Sequence, residues 1–162
     1  KQIHNVSRDD LHLSILQHLD KIAGSVFYLG ASDRTLALIT ERILTEYPNI
    51  RVKTYSPPYR DSFSEEETNK MITAINEFKP DVLFIGMSVS KQEKWIATNR
   101  HLLHTHLISG IGAVFGFYGG TTSYPPQWRK QQSLSAIKIL ITALQIKNRK
   151  KSIKTSTEYE TN

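Results

Sequence analysis

The residues best suited to chemistry lie between Asp81 and Arg100. There an apolar run, Val82-Leu83-Phe84-Ile85, stops at Gly86 and is followed by Ser88, Ser90, Lys91, Gln92 and Glu93. The run follows Pro80 and reads as a strand buried on both faces. The serine hydroxyls can open a helix, and from Lys91 onward the pattern turns helical, with Trp95 and Ile96 on one side and Lys91, Glu93, Lys94 and Arg100 mostly solvated. Ligands of open α/β sheets sit at such a strand, small-residue turn and helix start, because unpaired N–H groups and the helix dipole favour an anion. Gln92, just inside the helix, can present its amide to a base or a sugar. Plain scaffold uses the same arrangement, so the stretch alone does not define a reaction.

Other chemistries lose their signatures. Without cysteine, disulfide frameworks, thiolate catalysis and cysteine–zinc sites are excluded, which fits a reducing compartment. The exit of the first strand reads Leu29-Gly30-Ala31-Ser32-Asp33, with no G-x-G-x-x-G, P-loop or G-x-S-x-G pattern. His101, His104 and His106 are close in sequence, but their spacing suits a frayed helix end better than a coordination face, and no metal is expected. Asp81 and Glu93 are read as the acids nearest the crevice. No matched carboxylate pair follows from their spacing, and a surface role is the default for both.

The elements that must position these residues alternate. Ser7 is a candidate cap for a helix carrying Leu11, Ile15, Leu19 and Ile22 and ending at Gly24. Val26 to Ala31 is a buried strand, followed by a helix capped at Ser32 or Asp33, with Leu36, Ile39, Ile43 and Leu44 on its apolar side and an end near Tyr47-Pro48. Ile50 to Tyr55 is a less buried strand, and Ser56-Pro57-Pro58-Tyr59-Arg60 a rigid exit loop. Ser64 followed by Glu65, Glu66 and Glu67 starts a helix that continues through Met71, Ile72, Ile75 and Phe78. A fourth strand is expected over Leu107–Gly112, then an apolar segment of undetermined type to Tyr118 and a loop around Gly119-Gly120. This alternation predicts a Rossmann-like α/β fold, a mostly parallel sheet with helices on both faces, with Gly30, Gly86 and Gly112 meeting at one crevice.

The 162 residues suffice for one core, and no apolar run is long enough to cross a bilayer. Because the chain begins at Lys1 rather than Met, a fragment or processed product is expected. The net charge of +6 is concentrated toward the end: Arg129, Lys130, Lys138, Lys147, Arg149, Lys150, Lys151 and Lys154 occur with no acid among them. Residues 1–128 read as the Rossmann-like portion, 129–154 as a basic amphipathic helix and 155–162 as a disordered tail. That helix either packs on the core with a solvated end or lies on an anionic membrane surface. Nucleic acid is the weaker candidate, since no aromatics interleave the cations.

In order, Asp81 to Gly86, Ser90-Lys91-Gln92-Glu93-Lys94-Trp95-Ile96, Gly110-Ile111-Gly112-Ala113-Val114-Phe115, Gly119-Gly120 and Pro126-Gln127-Trp128 resemble the WecG/TagA/CpsF glycosyltransferases (glycosyltransferase family 26). The family pattern is roughly "PDxLFVGLGxPKQExWI", "xxGVGGxFDxxAG" and "RAPxW"; Val26 to Gly30 and Tyr47-Pro48 match further pieces of it. The resemblance implies a Rossmann-like transferase moving N-acetylmannosamine or a related sugar from UDP to a polyprenyl-diphosphate-linked acceptor in bacterial cell-surface polysaccharide synthesis. It also implies a cytoplasmic position, peripheral to the inner face of the plasma membrane, and no metal or cofactor. By carry-over, Gln92 contacts the UDP-sugar, Gly30 and Gly86 admit the ligand to the backbone, and Ser88, Lys91, Glu93 and Gly112 complete the site. Lys147, Arg149, Lys150 and Lys151 are the candidate contacts to membrane or acceptor, and a second copy of the chain is a candidate partner.

The departures bear on activity. The pattern's catalytic aspartate precedes its "RVTGxDL" segment, altered here to Asn5–Leu11, and matches no residue of this sequence; the catalytic residues are therefore unassigned. Gly116 stands for the Asp of "FD", Tyr124 for the Arg of "RAP", Ile139 for a later Arg and Ser90 for the Pro before Lys-Gln-Glu. This chain alone is expected to turn over little or no substrate. The alternative is a non-catalytic scaffold that retains the fold within a polysaccharide-assembly complex.

Overall fold

The computed structural model describes residues 8–123. The elements are α1 (Arg8–Lys21), β1 (Ser25–Gly30), α2 (Asp33–Glu46), β2 (Arg51–Tyr55), α3 (Glu65–Phe78), β3 (Val82–Gly86), α4 (Val89–Asn99), β4 (Leu107–Gly110) and α5 (Val114–Tyr118), with a 3-10 turn at Arg100–Leu102. The candidate cap Ser7, the Pro126-Gln127-Trp128 motif, the basic segment with Lys147, Arg149, Lys150 and Lys151, and the boundaries at 128 and 154 lie outside the described residues.

The strands form one parallel sheet in the order β2-β1-β3-β4. β1 and β3 are central and buried along their length, as their unbroken apolar runs require, whereas β2 is an edge strand whose exposure alternates. One face of the sheet meets α1, α2 and α5 through Ile15, Leu19, Val26, Tyr28, Leu36, Ile39, Phe84 and Phe115. The other meets α3 and α4 through Phe27, Leu29, Met71, Ile75, Leu83, Ile85 and Trp95. Successive strand residues point to opposite faces, so each central strand supplies both cores.

Local chemistry sets the helix limits. Ser64 accepts from the Glu67 N–H at 3.2 Å while the Glu67 carboxylate accepts from the Ser64 N–H at 2.8 Å, a reciprocal cap that fixes the start of α3. Lys79, in a left-handed conformation at φ 51°, ends that helix before Pro80. The Ser32 hydroxyl accepts from the Thr35 N–H at 3.3 Å and starts α2.

The structure corrects several expectations. Leu44 is 54% exposed because its neighbour Ile43 already faces the sheet, and Ile22 is 44% exposed because it lies just past the end of α1. β4 ends at Gly110, and the segment of undetermined type is α5. Asp81 is not near the crevice: it precedes β3, whereas the crevice lies where the strand ends. There Asp81 accepts from the Ser25 N–H at 2.8 Å and hydroxyl at 2.9 Å, pairs with His106 at 3.2 Å, and takes the Leu107 N–H on its carbonyl at 3.1 Å. It ties together the starts of β1, β3 and β4. His106 is thus paired with an acid, and among the described residues no three His, Cys, Asp or Glu side chains are grouped to hold a metal ion.

His12, on α1, is buried among the rings of Tyr28, Phe84 and Tyr118, with its Nε2 2.6 Å from the Tyr28 hydroxyl. Burial, with the Arg42 charge second, lowers its pKa from 6.5 to about 3. Between these values the unfolded chain takes up a proton that the folded chain refuses. The destabilisation is absent above pH 6.5 and grows as pH falls. From pH 7 to pH 5 this histidine costs about 2 kcal/mol, at about 1.4 kcal/mol per pH unit below 6.5. Urea unfolding at both pH values checks it: His12→Leu is expected to lose about that much of the pH dependence, and an unchanged slope would refute the assignment.

Candidate functional site

The site begins with two glycines. Gly30 ends β1 and pairs in register with Gly86, which ends β3. A Cβ on Gly30 would lie 2.4 Å from the Gly86 carbonyl oxygen, and its φ of +120° suits glycine alone. A Cβ on Gly86 would lie 2.5 Å from the Phe115 ring. The Ala31 N–H donates to the Gly86 carbonyl at 3.2 Å, and Ala31 turns the chain away at φ 60°. β1 then leads through α2 to the β2 side, while β3 leads through α4 to the β4 side, so the sheet's switch point lies between them.

A crevice of about 1440 Å³ opens there. Its floor is the backbone around Gly30, Gly86 and Gly112; α4 supplies one wall, and the segment from Ser56 to Phe63 the other. The N-termini of α2 and α4 both reach it, through Ser32 and Ser88. Ser88 makes no side-chain capping bond, and the first N–H groups of α4 have no acceptor within the helix. Arg60, Lys91, Lys94, Asp33 and Asp61 also line the crevice. Bare backbone and an uncapped helix start suit an anionic group.

Of the residues singled out in the sequence, Gly30, Gly86, Ser88, Lys91 and Gly112 line the crevice. Glu93 does not line it and is exposed on the outer side of α4. Gln92 is 3% exposed and lies beneath the floor: a Cβ on Gly110 would lie 2.7 Å from its Nε2, and one on Gly112 would lie 3.9 Å from its Oε1. That Oε1 is buried without a hydrogen-bond partner among the described residues. Trp95, whose indole N–H is likewise unpartnered, forms part of the α4 wall.

Sequence reasoning missed the opposite wall. Ser56–Arg60 was assigned to a loop only, yet Tyr59 stands fully exposed at its tip and Phe63 is half-buried at its end. The Ser56 hydroxyl donates to the Ala31 carbonyl at 2.8 Å, fastening the start of the loop to the β1 exit. The available signal was positional, because this loop leaves a strand of a parallel sheet on the same side as Gly30 and Gly86.

A parallel sheet with helices on both faces and a bare-backbone crevice at its switch point defines a Rossmann-like α/β domain. The chain belongs to the WecG/TagA/CpsF glycosyl transferase family, whose model matches residues 1–137. It is 29% identical over 121 residues to the N-acetylglucosaminyldiphosphoundecaprenol N-acetyl-beta-D-mannosaminyltransferase of Bacillus subtilis (strain 168), covering 74% of this chain and 44% of that protein. The transferase of the same name from Staphylococcus aureus (strain NCTC 8325 / PS 47) is 29% identical over 101 residues, 62% of this chain and 38% of that protein. This chain therefore spans less than half the length of the relatives it matches.

The floor gives a direct test. Gly30→Ala is expected to lower the melting temperature by about 6 °C, as a loss of roughly 2 kcal/mol does in a chain of 162 residues. A melting temperature within 2 °C of wild type, roughly the shift from half a kcal/mol, would show that the two strand ends do not meet as described.

Proposed function

We propose that this chain is the donor-binding portion of an N-acetylmannosaminyltransferase, which takes the sugar from UDP and gives it to a polyprenyl-diphosphate-linked N-acetylglucosamine. The single observation that carries the reading is the glycine-floored crevice at the switch point, found in a member of this family and bordered by an uncapped helix start. In this reading the diphosphate lies against the first N–H groups of α4, with Ser88 and Ser90 donating hydroxyls and the helix dipole taking up charge as the diphosphate leaves. Lys94, an exposed cation on the same helix, adds to that field. Tyr59 offers an aromatic face to the base from across the crevice.

Gln92 acts at the inner end. Its unpartnered Oε1 is buried beneath the Gly112 turn and becomes available to a sugar hydroxyl or amide N–H when that turn shifts on binding. No residue of this sequence matches the catalytic aspartate of the family pattern, so we assign binding and positioning of the donor to these residues.

No helix among the described residues is long and apolar enough to cross a membrane. We assign contact with the anionic inner face of the plasma membrane, where the lipid-linked acceptor lies, to Lys147, Arg149, Lys150 and Lys151. Replacing all four by glutamate is expected to abolish co-sedimentation with phosphatidylglycerol vesicles at low salt, and retained binding would reject the assignment.

The donor site is tested by calorimetric titration with UDP, UDP-N-acetylmannosamine, GDP and ATP. Selective binding of the uridine nucleotides is expected. Gln92→Ala should weaken the UDP-sugar about tenfold, roughly one lost buried hydrogen bond, while moving UDP far less. Equal binding of all four nucleotides, or of none, would reject the reading for this chain.

A further inference from the structure

Lys91 is the family-pattern cation nearest the α4 N-terminus, yet in this structure it is engaged with the opposite wall. Its ammonium lies 3.9 Å from the centre of the Phe63 ring and donates to the Arg60 carbonyl oxygen. Arg60 in turn pairs with Glu67 of α3 at 3.2 Å. The Ser56–Phe63 segment is thus held at its start by Ser56 on Ala31, and toward its end by Lys91 and Glu67. Tyr59 lies between these anchors, and the hydrogen bonds and ring contacts of the described residues give its side chain no partner. An ammonium seated on a ring and bonded to a carbonyl has already replaced much of its water with protein. Taking it away for a phosphate would forfeit both contacts.

We propose that Lys91 is a positioning residue: it pins the Ser56–Phe63 wall across the crevice and so sets where Tyr59 stands, instead of serving chiefly as a phosphate ligand. The part of this inference that concerns binding rests on the crevice being a UDP-sugar site; the part that concerns the loop does not. A charge on α4 then acts on the ligand through the loop, and Phe63, which carries no charge, becomes as important to binding as the lysine.

The test is limited digestion of the 162-residue chain with an arginine-specific protease, reading cleavage between Arg60 and Asp61 by mass and normalising to cleavage after Arg100 to remove global unfolding. Lys91→Met is expected to speed the Arg60 cut about tenfold or more, less than the full worth of one cation–ring contact with one charged hydrogen bond because the lysine is part-exposed. Phe63→Leu should speed it comparably, the double variant little more than either alone, and Lys91→Arg should stay close to wild type because arginine can also stack and donate. A wild-type cleavage rate in Lys91→Met would overturn the proposal. UDP titration supplies the second arm: Lys91→Met and Phe63→Leu are expected to weaken binding by similar factors. Loss of UDP binding in Lys91→Met with full binding in Phe63→Leu would make the lysine a direct phosphate ligand and sink the positioning role. Should wild type bind no UDP, the donor-site reading fails, and the cleavage rates alone decide the role of Lys91.

Discussion

Everything at the crevice end of this domain depends on how closely two strand ends approach. Gly30 and Gly86 are register partners, and neither has room for a side chain: one would strike the other's carbonyl, the other the Phe115 ring. The first contact brings β1 and β3 together at their exits; the second seats α5 against the sheet. A bare floor follows directly, since positions that cannot hold a Cβ present only peptide groups to a ligand. The chain must also diverge here. Ala31, bonded to the Gly86 carbonyl in a left-handed turn, swings toward α2, while β3 continues through Met87 and Ser88 into α4. Two helix starts consequently face the same crevice from opposite sides of the sheet.

The opposite end of the sheet fixes the register on which that approach depends. Asp81 gathers the Ser25 N–H and hydroxyl, the His106 imidazole and the Leu107 N–H into one polar cluster. A one-residue slip of β3 against β1 would break these bonds and part Gly30 from Gly86. The acid thus acts on the crevice from the far end of the strand. It aligns β1, β3 and β4, and the alignment places the glycines.

How much of this could be read from the sequence depended on whether the signal was local. The capping residues Ser32 and Ser64, the buried runs of β1 and β3, and the three glycines of the crevice all carried their meaning in neighbouring residues. Three features did not. Gln92 looked like a surface amide at a helix start, but helix phase turns it under Gly110 and leaves the surface to Lys91 and Lys94. Asp81 adjoins the crevice strand in sequence yet lies a strand's length from its exit. The wall formed by Ser56 to Phe63 depends on β2 sitting beside β1, which its composition does not state. What was illegible was in each case a matter of which end or which face, and packing decides that.

The departure at Gly116 shows the same interplay between a lost side chain and its surroundings. The family pattern carries an aspartate there. In this chain the Gly116 carbonyl accepts from the Thr121 N–H at 2.9 Å, the Thr122 N–H at 3.0 Å and the Thr121 hydroxyl at 3.3 Å. A Cβ on Gly116 would lie 2.7 Å from the Thr122 hydroxyl oxygen. The turn after α5 therefore folds back over the position an aspartate would occupy, and restoring the carboxylate requires displacing Thr122. Glycine here is matched by two threonines that satisfy its backbone, so the change is local and self-consistent rather than a simple deletion. A carboxylate accepts and carries charge; a threonine hydroxyl donates as readily as it accepts and is neutral.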